Sequence, residues 1–228
     1  MNNEIALQED YKSKDRSYFE AERSDMLQYV PQNSSVILEV GCGCGKFGAL
    51  LKNEYSAQVW GIDSDEYAIF EARKRLDKVI KGSFGKELKL PEKAFDCIIF
   101  NDVLEHLIDP FGSLTYCKQL LSDKGVIVAS IPNVRYFHNI VDLLVYRNWE
   151  YTERGILDKT HLRFFTRRSI LTTFDRLGYD VKTIEGLNPI KEMKLPGKYR
   201  YLNWLLPLFS EKIEDMRYLQ FAVVANKL

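Results

Sequence analysis

The sequence predicts an α/β fold in which a largely parallel sheet is covered by helices on both faces. Three observations carry this. Short apolar runs alternate with stretches of helical periodicity, the first run leads straight into a glycine-rich turn, and no internal repeat or low-complexity linker interrupts the alternation.

Taken in order, apolar runs at 35–40, 58–62, 79–80, 95–100 and 125–130 read as five strands. Between them, residues 46–53, 65–76 and 110–121 carry apolar side chains three and four apart and read as helices, with Pro110 suited to a first helical turn. Beyond residue 133 the regularity weakens. A helix is expected over 136–146, then a polar and aromatic stretch, then a helix over 168–177 ended by Gly178. Strands at 179–184 and 218–225 close the chain and flank an insertion, 186–216, too long for an ordinary hairpin and expected to lie over the active site.

The chain is one domain of 228 residues, 46% of them hydrophobic and 28% charged, which is enough to bury a sizeable core. Within it, residues 1–33 are expected to form an N-terminal helical lid, 34–133 the cofactor-binding half and 134–228 the acceptor-side half. Thirty-two basic and thirty-two acidic residues cancel, so no nucleic acid is expected as partner. The polar start has no secretory pattern and no apolar run is long enough for a membrane span, so the cytoplasm is the expected compartment. Of the four cysteines, Cys97 and Cys117 read as buried small hydrophobes. Cys42 and Cys44 lack a second ligand pair at metal spacing and read as small residues tolerated in a tight loop, so no metal is expected.

The run ending in Val40 passes into Gly41, Gly43 and Gly45 and then a helix, a turn that brings bare backbone N–H groups close to a ligand. Gly43-Cys-Gly-Lys-Phe-Gly48 also satisfies a dinucleotide fingerprint, with Asp63 twenty residues beyond Gly43. Strand-glycine-helix physics alone does not separate a nicotinamide site from other nucleotide-like ligands.

Glu39-Val-Gly-Cys-Gly-Cys-Gly45 resembles the first motif of the class I S-adenosylmethionine-dependent methyltransferases, and the resemblance runs over residues 35–133. It implies a Rossmann-like seven-stranded sheet of order 3-2-1-4-5-7-6 with an antiparallel last strand. It implies S-adenosylmethionine as cofactor and S-adenosylhomocysteine as product. By that resemblance Gly41, Cys42, Gly43 and Gly45 pass under the methionine part and Glu39 orients the loop and the amino group. Asp63, with Ser64 beside it, takes both ribose hydroxyls. The run Asn101-Asp102-Val103-Leu-Glu-His106 passes beneath the methionine moiety, a sequence for which a dehydrogenase gives no reason. Where the family often has an acidic residue for the adenine amino group, this chain has Lys81-Gly-Ser83-Phe84, leaving Ser83 to hydrogen-bond and Phe84 to pack on the ring.

Methyl transfer to a hydroxyl also requires loss of its proton, and a neutral histidine near pH 7 suits that task. His138 reads as a surface residue and His106 as a packing or cofactor-contact residue. His161 is the candidate base, with Asp158 to orient its imidazole and Arg163 to clamp an anionic or polyhydroxyl acceptor. The competing reading makes His161 a helix cap and Phe164 and Phe165 core. The stretch Asp158-Lys-Thr-His-Leu-Arg-Phe-Phe-Thr166 resembles a branch found beside glycosyltransferases and in surface-polysaccharide pathways, which implies O-methylation of a sugar or related intermediate.

Residues 135–168 carry seven basic against four acidic side chains, an excess of three that would suit a phosphorylated acceptor. The aromatic stretch 199–209 offers a pocket lining, a dimer contact or membrane-surface association, and Tyr11 and Tyr18 a cover for the cofactor. A monomer or homodimer is expected. A nicotinamide-dependent oxidoreductase and a catalytically inactive binding protein are the alternatives.

Overall fold

The computed structural model of the chain describes residues 14–20, 22–197, 199–201, 203–204 and 210–228; Tyr11 and the stretch 205–209 lie outside them. Seven strands form one sheet: β1 Val36–Val40, β2 Gln58–Asp63, β3 Lys78–Lys81, β4 Phe95–Asn101, β5 Leu121–Pro132, β6 Tyr179–Pro189 and β7 Tyr218–Lys227. Their order is β3-β2-β1-β4-β5-β7-β6, with β7 antiparallel to both of its neighbours and the first five strands parallel. The expected order and closing strand are therefore present.

The near-continuous apolar runs of the central strands follow from burial on both faces. Leu38, Val40, Ile98, Phe100, Ile127 and Ala129 point into one core, and Ile37, Cys97, Ile99, Val126 and Val128 into the other. The first core is closed by α3 (Pro110–Leu120) and α5 (Arg167–Arg176), which supply Leu114, Cys117, Leu120, Ile170 and Phe174. The second is closed by α1 (Lys46–Tyr55) and α2 (Glu66–Ala72), together with Met26 and Val30 of the segment preceding β1. All four cysteines are buried and free.

The starts of α2, α3 and α5 are fixed by side-chain caps, whereas α1 starts after Gly45 without one. Asp65 accepts from the Ala68 N–H, and Asp109 accepts from Gly112 N–H just ahead of Pro110. Thr166 and Ser169 form a reciprocal capping box on α5, so that end is not capped by His161.

Two elements differ from the sequence expectation. The helix expected over 136–146 is α-helical only at α4 (Phe137–Val141) and continues as a π turn over Asp142–Tyr146. Leu143, Leu144 and Tyr146 in that turn are exposed and Val145 alone packs against a core cluster, so little packing holds it to regular geometry. The insertion begins later than expected, because β6 and β7 stay paired from Tyr179 opposite Lys227 out to Pro189 opposite Tyr218. Its described residues do not cover the site. Ile190, Met193, Leu195 and Ile213 instead pack with Phe137, Val141 and Met216 in a third, smaller cluster. Asn133, fully buried, ties down the far end by donating to the carbonyls of Asp215 (2.7 Å) and Tyr218 (2.9 Å).

Candidate active site

At the carboxyl ends of β1, β2, β4 and β5 a cavity of about 1130 Å³ opens, the position at which open α/β sheets bind ligands. Its size exceeds what one small molecule usually occupies, leaving room for two. Glu39, Gly41, Cys42, Gly43, Asp63, Ser64, Ser83, Phe84, Asn101, Asp102, Val103, His106, Asp158 and His161 all line it, which brings together nearly every residue singled out from the sequence.

The glycine turn is shaped by left-handed backbone at Gly41, Gly43 and Gly45, with φ of +68°, +50° and +75°. Close approach adds to the requirement. A Cβ on Gly41 would stand 2.5 Å from Val103 Cγ2, and one on Gly43 2.6 Å from the Phe19 carbonyl oxygen. The turn does not offer bare N–H groups, however. Gly41 and Cys42 donate to the Ile62 carbonyl (2.8 and 3.0 Å), Gly43 to Asp63 Oδ2 (2.8 Å), Cys44 to the Phe19 carbonyl (2.9 Å) and Gly45 to the Cys42 carbonyl (2.8 Å). The expectation of a donor-rich cradle is corrected here: the Ile62, Phe19 and Cys42 carbonyls and the Asp63 carboxylate take up those donors inside the protein. A pyrophosphate bound at a turn of this kind needs them, so the dinucleotide reading loses its physical basis.

Charge points the same way. Glu39, at the end of β1, is 3% exposed and its Oε2 has no hydrogen-bond partner. It lies so close to α1 that a Cβ on Gly48 would stand 2.9 Å from Oε2. Burial pushes its carboxyl up to about 8. Burial also raises the Asp63 carboxyl, whose oxygens accept from Gly43 N–H and Asp65 N–H (2.9 Å) yet keep lone pairs for a further donor. Carboxylates Glu39, Asp63, Asp102, Glu105 and Asp158 face the cavity, with Arg23 and Lys86 on its wall as cations. Such a wall favours a cationic ligand, whose charge would draw the protons off the buried Glu39 and Glu105. The basic residues counted over 135–168 are absent from the described lining, and several are used elsewhere: Arg135 with Asp215, Lys159 with Glu153, Arg154 with Asp15 and Ser17.

At the opposite end, a loop after β4 and the segment before α5 bring Glu105, His106 and His161 together. The backbone carbonyl of Glu105 joins the two stretches by accepting from Leu162 N–H (2.8 Å) and Arg163 N–H (3.0 Å). The Glu105 carboxylate is 1% exposed, neither of its oxygens has a hydrogen-bond partner, and burial pushes it up to about 8. His161 Nε2 lies 3.9 Å from Glu105 Oε1, and the His106 and His161 rings meet edge to face with centroids 4.5 Å apart. Burial, then the neighbouring His161, lowers His106 to about 3, and burial lowers His161, so both imidazoles are neutral at pH 7.

Two expected roles, those of Asp158 and Arg163, do not match this geometry. Asp158 does not orient His161, whose Nδ1 is paired with the Ile156 carbonyl at 2.8 Å. Asp158 instead accepts from Lys14 Nζ (2.7 and 2.8 Å) and from Thr160 Oγ1 (2.7 Å), and Thr160 Oγ1 in turn lies 3.1 Å from His106 Nδ1. Arg163 does not line the cavity; it donates to the carbonyls of Ile108 (2.8 Å) and Leu162 (2.9 Å). Phe84 packs edge to face on Phe100 and near Tyr116, so its ring is partly committed to the core.

Described residues of the N-terminal segment reach the cavity. Tyr18, Phe19 and Arg23 line it, and Lys14 and Asp158 form an ion pair whose side chains are each 3% exposed. Asp102, held at φ +54°, pairs with Arg23 and accepts from Gln220 Nε2 (2.6 Å). Sequence reasoning missed Glu105, Arg23, Thr160 and Gln220. The only signal was the pair Leu-Glu-His and Thr-His, separated by more than fifty residues and meaningful only once folded.

A family profile described as a methyltransferase domain matches residues 11–184. A protein of Mycolicibacterium smegmatis named as a probable S-adenosylmethionine-dependent methyltransferase is 36% identical over 98 residues, covering 42% of this chain and 38% of its own length. The chain thus spans well under half of that relative. A ubiquinone biosynthesis O-methyltransferase of Cereibacter sphaeroides is 25% identical over 175 residues, covering 73% and 69% of the two chains. A crystal structure of a SAM-dependent methyltransferase from Archaeoglobus fulgidus matches in fold with a TM-score of 0.67 at 22% identity, covering 98% and 99%.

Proposed function

This chain belongs to the methyltransferase-domain family of class I S-adenosylmethionine-dependent enzymes, and from that premise we propose that it transfers the methyl group of S-adenosylmethionine to a hydroxyl of a small acceptor, such as a sugar or glycan intermediate. One observation carries the reading. Glu39 Oε2, both side-chain polar atoms of Asn101 and both carboxylate oxygens of Glu105 are buried without partners, and all three residues face the same acidic cavity. Orphaned buried polar atoms are costly unless a ligand completes them.

When bound, S-adenosylmethionine supplies a methyl group on a positively charged sulfur. The residues at the cofactor end fit it. Glu39 and the glycine turn would hold the ammonium end, Asp63 the ribose hydroxyls, and Ser83 with Phe84 the adenine, while Asn101, Asp102, Val103 and His106 would pass beneath the methionine part. The acceptor hydroxyl would come to His161 and Glu105, where tight positioning would provide much of the rate. A neutral or polyhydroxyl acceptor suits the acidic wall better than an anionic one. The O-methyltransferase relative supports attack by oxygen.

The test is transfer of label from methyl-labelled S-adenosylmethionine to a panel of hydroxyl and amine acceptors. Label on a hydroxyl, with kcat reduced roughly 10²–10⁴-fold in His161→Ala while cofactor affinity is kept, is the expected result. Label confined to amines, or undiminished turnover in the variant, contradicts it. Cofactor binding with no turnover on any acceptor would favour a regulatory binding protein.

A further inference from the structure

The cluster at the acceptor end carries more than a single base requires. Glu105, His106 and His161 each offer a ligand atom, and those atoms lie within 4.8 Å of one another. The carboxylate between them is 1% exposed with both oxygens unpartnered. Each imidazole places Nδ1 against a backbone carbonyl, His161 on Ile156 at 2.8 Å and His106 on Thr160 at 3.2 Å. That arrangement fixes the ring and the Nδ1–H tautomer, and it is the second layer that metal-ligating histidines use to aim Nε2 at an ion. Asp158 extends the layer, accepting from the Thr160 hydroxyl that lies beside His106 Nδ1.

We propose that Glu105, His106 and His161 bind a divalent transition cation, with two imidazole nitrogens and one carboxylate on one side and open positions facing the cavity. The two imidazole donors favour zinc-like ions, and the carboxylate admits manganese. Bonds of about 2.0–2.2 Å to each ligand would draw the three side chains inward from their present spacing. The Tyr18 hydroxyl, 3.4 Å from His106 Nε2, sits at the edge of the same space.

This inference deepens the reading of the site as one for hydroxyl acceptors and rests on it for its chemistry. An acceptor oxygen at an open position has its O–H bond weakened by the cation. The proton passes to water and the electron pair stays on oxygen. That pair then forms the bond to the methyl carbon as the carbon–sulfur bond breaks and its electrons return to sulfur. Glu105, His106 and His161 act as ligands in this scheme, and the loss of activity expected of His161→Ala follows equally from loss of the ion.

The experiment uses the full chain, stripped with chelator and titrated with Mn²⁺ while free Mn²⁺ is read by electron paramagnetic resonance, then repeated with Zn²⁺ by equilibrium dialysis. The expected result is about one ion per chain, with affinity reduced on the order of tenfold or more in both Glu105→Gln and His161→Ala. Retained S-adenosylmethionine binding in the two variants serves as the check that they fold. An anomalous peak for Mn²⁺ between the three side chains in crystals would support it directly. Absence of uptake by the wild type, or uptake unchanged in both folded variants, overturns the site. In that case metal-free transfer to a hydroxyl would leave the acceptor assignment standing with His161 as base, whereas metal uptake without hydroxyl transfer would keep the site and remove the acceptor assignment.

Discussion

Glu39, the glycine turn and Asp63 come from two adjacent parallel strands within 25 positions of sequence, while Glu105 and His161 stand 56 positions apart and meet only because the backbone of one stretch binds the other. The first group is held by the sheet, with each N–H from Gly41 to Gly45 already bonded inside the protein. The second depends on two backbone hydrogen bonds between distant stretches and on the Lys14–Asp158 pair beside them. A fold therefore fixes a site most firmly where its parts are local in sequence, and leaves most freedom where long-range contacts can be altered without disturbing the sheet.

The largest effect should come from breaking the rigid end. Gly41→Ala forces a side chain into left-handed backbone and onto Val103, 2.5 Å away. S-adenosylmethionine affinity should fall by at least roughly a hundredfold, the equivalent of about 2.7 kcal/mol, as read by calorimetry. An affinity within a few-fold of wild type would mean that the turn does not position the ligand.

A smaller effect is expected at the adaptable end. Lys14→Met leaves Asp158 buried without its cation and loosens the N-terminal segment. Acceptor KM should rise on the order of tenfold with cofactor affinity nearly unchanged; equal losses of both would show that the two ends are not separable.

The mildest test sharpens the electrostatic contrast. Burial holds the Glu39 carboxyl at about 8 in the folded chain against 4.5 in the unfolded one. A raised folded pKa means that its stabilising contribution is full below pH 4.5 and is lost as pH rises to 8. Melting temperature should therefore decline across that window more in the wild type than in Glu39→Gln. Parallel curves would show that Glu39 is ionised in the fold.

How much of this was legible in the sequence follows the same division. The strands of the cofactor half could be read because burial on both faces leaves unbroken apolar runs, and the turn because glycine at alternate positions marks left-handed backbone. Burial of both faces also made β7 visible as a last apolar run. The pairing of Asp158 with Lys14 was not legible, since Asp158 lies nearer in sequence to the histidine it was expected to serve. Nor was the use of the turn's N–H groups, because the Ile62 and Phe19 carbonyls that accept them carry no sequence signal. The length of the insertion suggested a lid, and only the third apolar cluster around Phe137 and Met216 shows where its described part rests.

The central claim is that the closed turn beside a buried carboxylate accepts a cationic sulfonium compound and refuses a pyrophosphate. Calorimetric titration of the wild type and of Asp63→Ala with S-adenosylmethionine, S-adenosylhomocysteine and NAD tests it most directly. Binding of both adenosyl compounds to the wild type, weakened in the variant, with no heat from NAD, is the predicted result. Tighter binding of NAD than of either adenosyl compound would contradict the account.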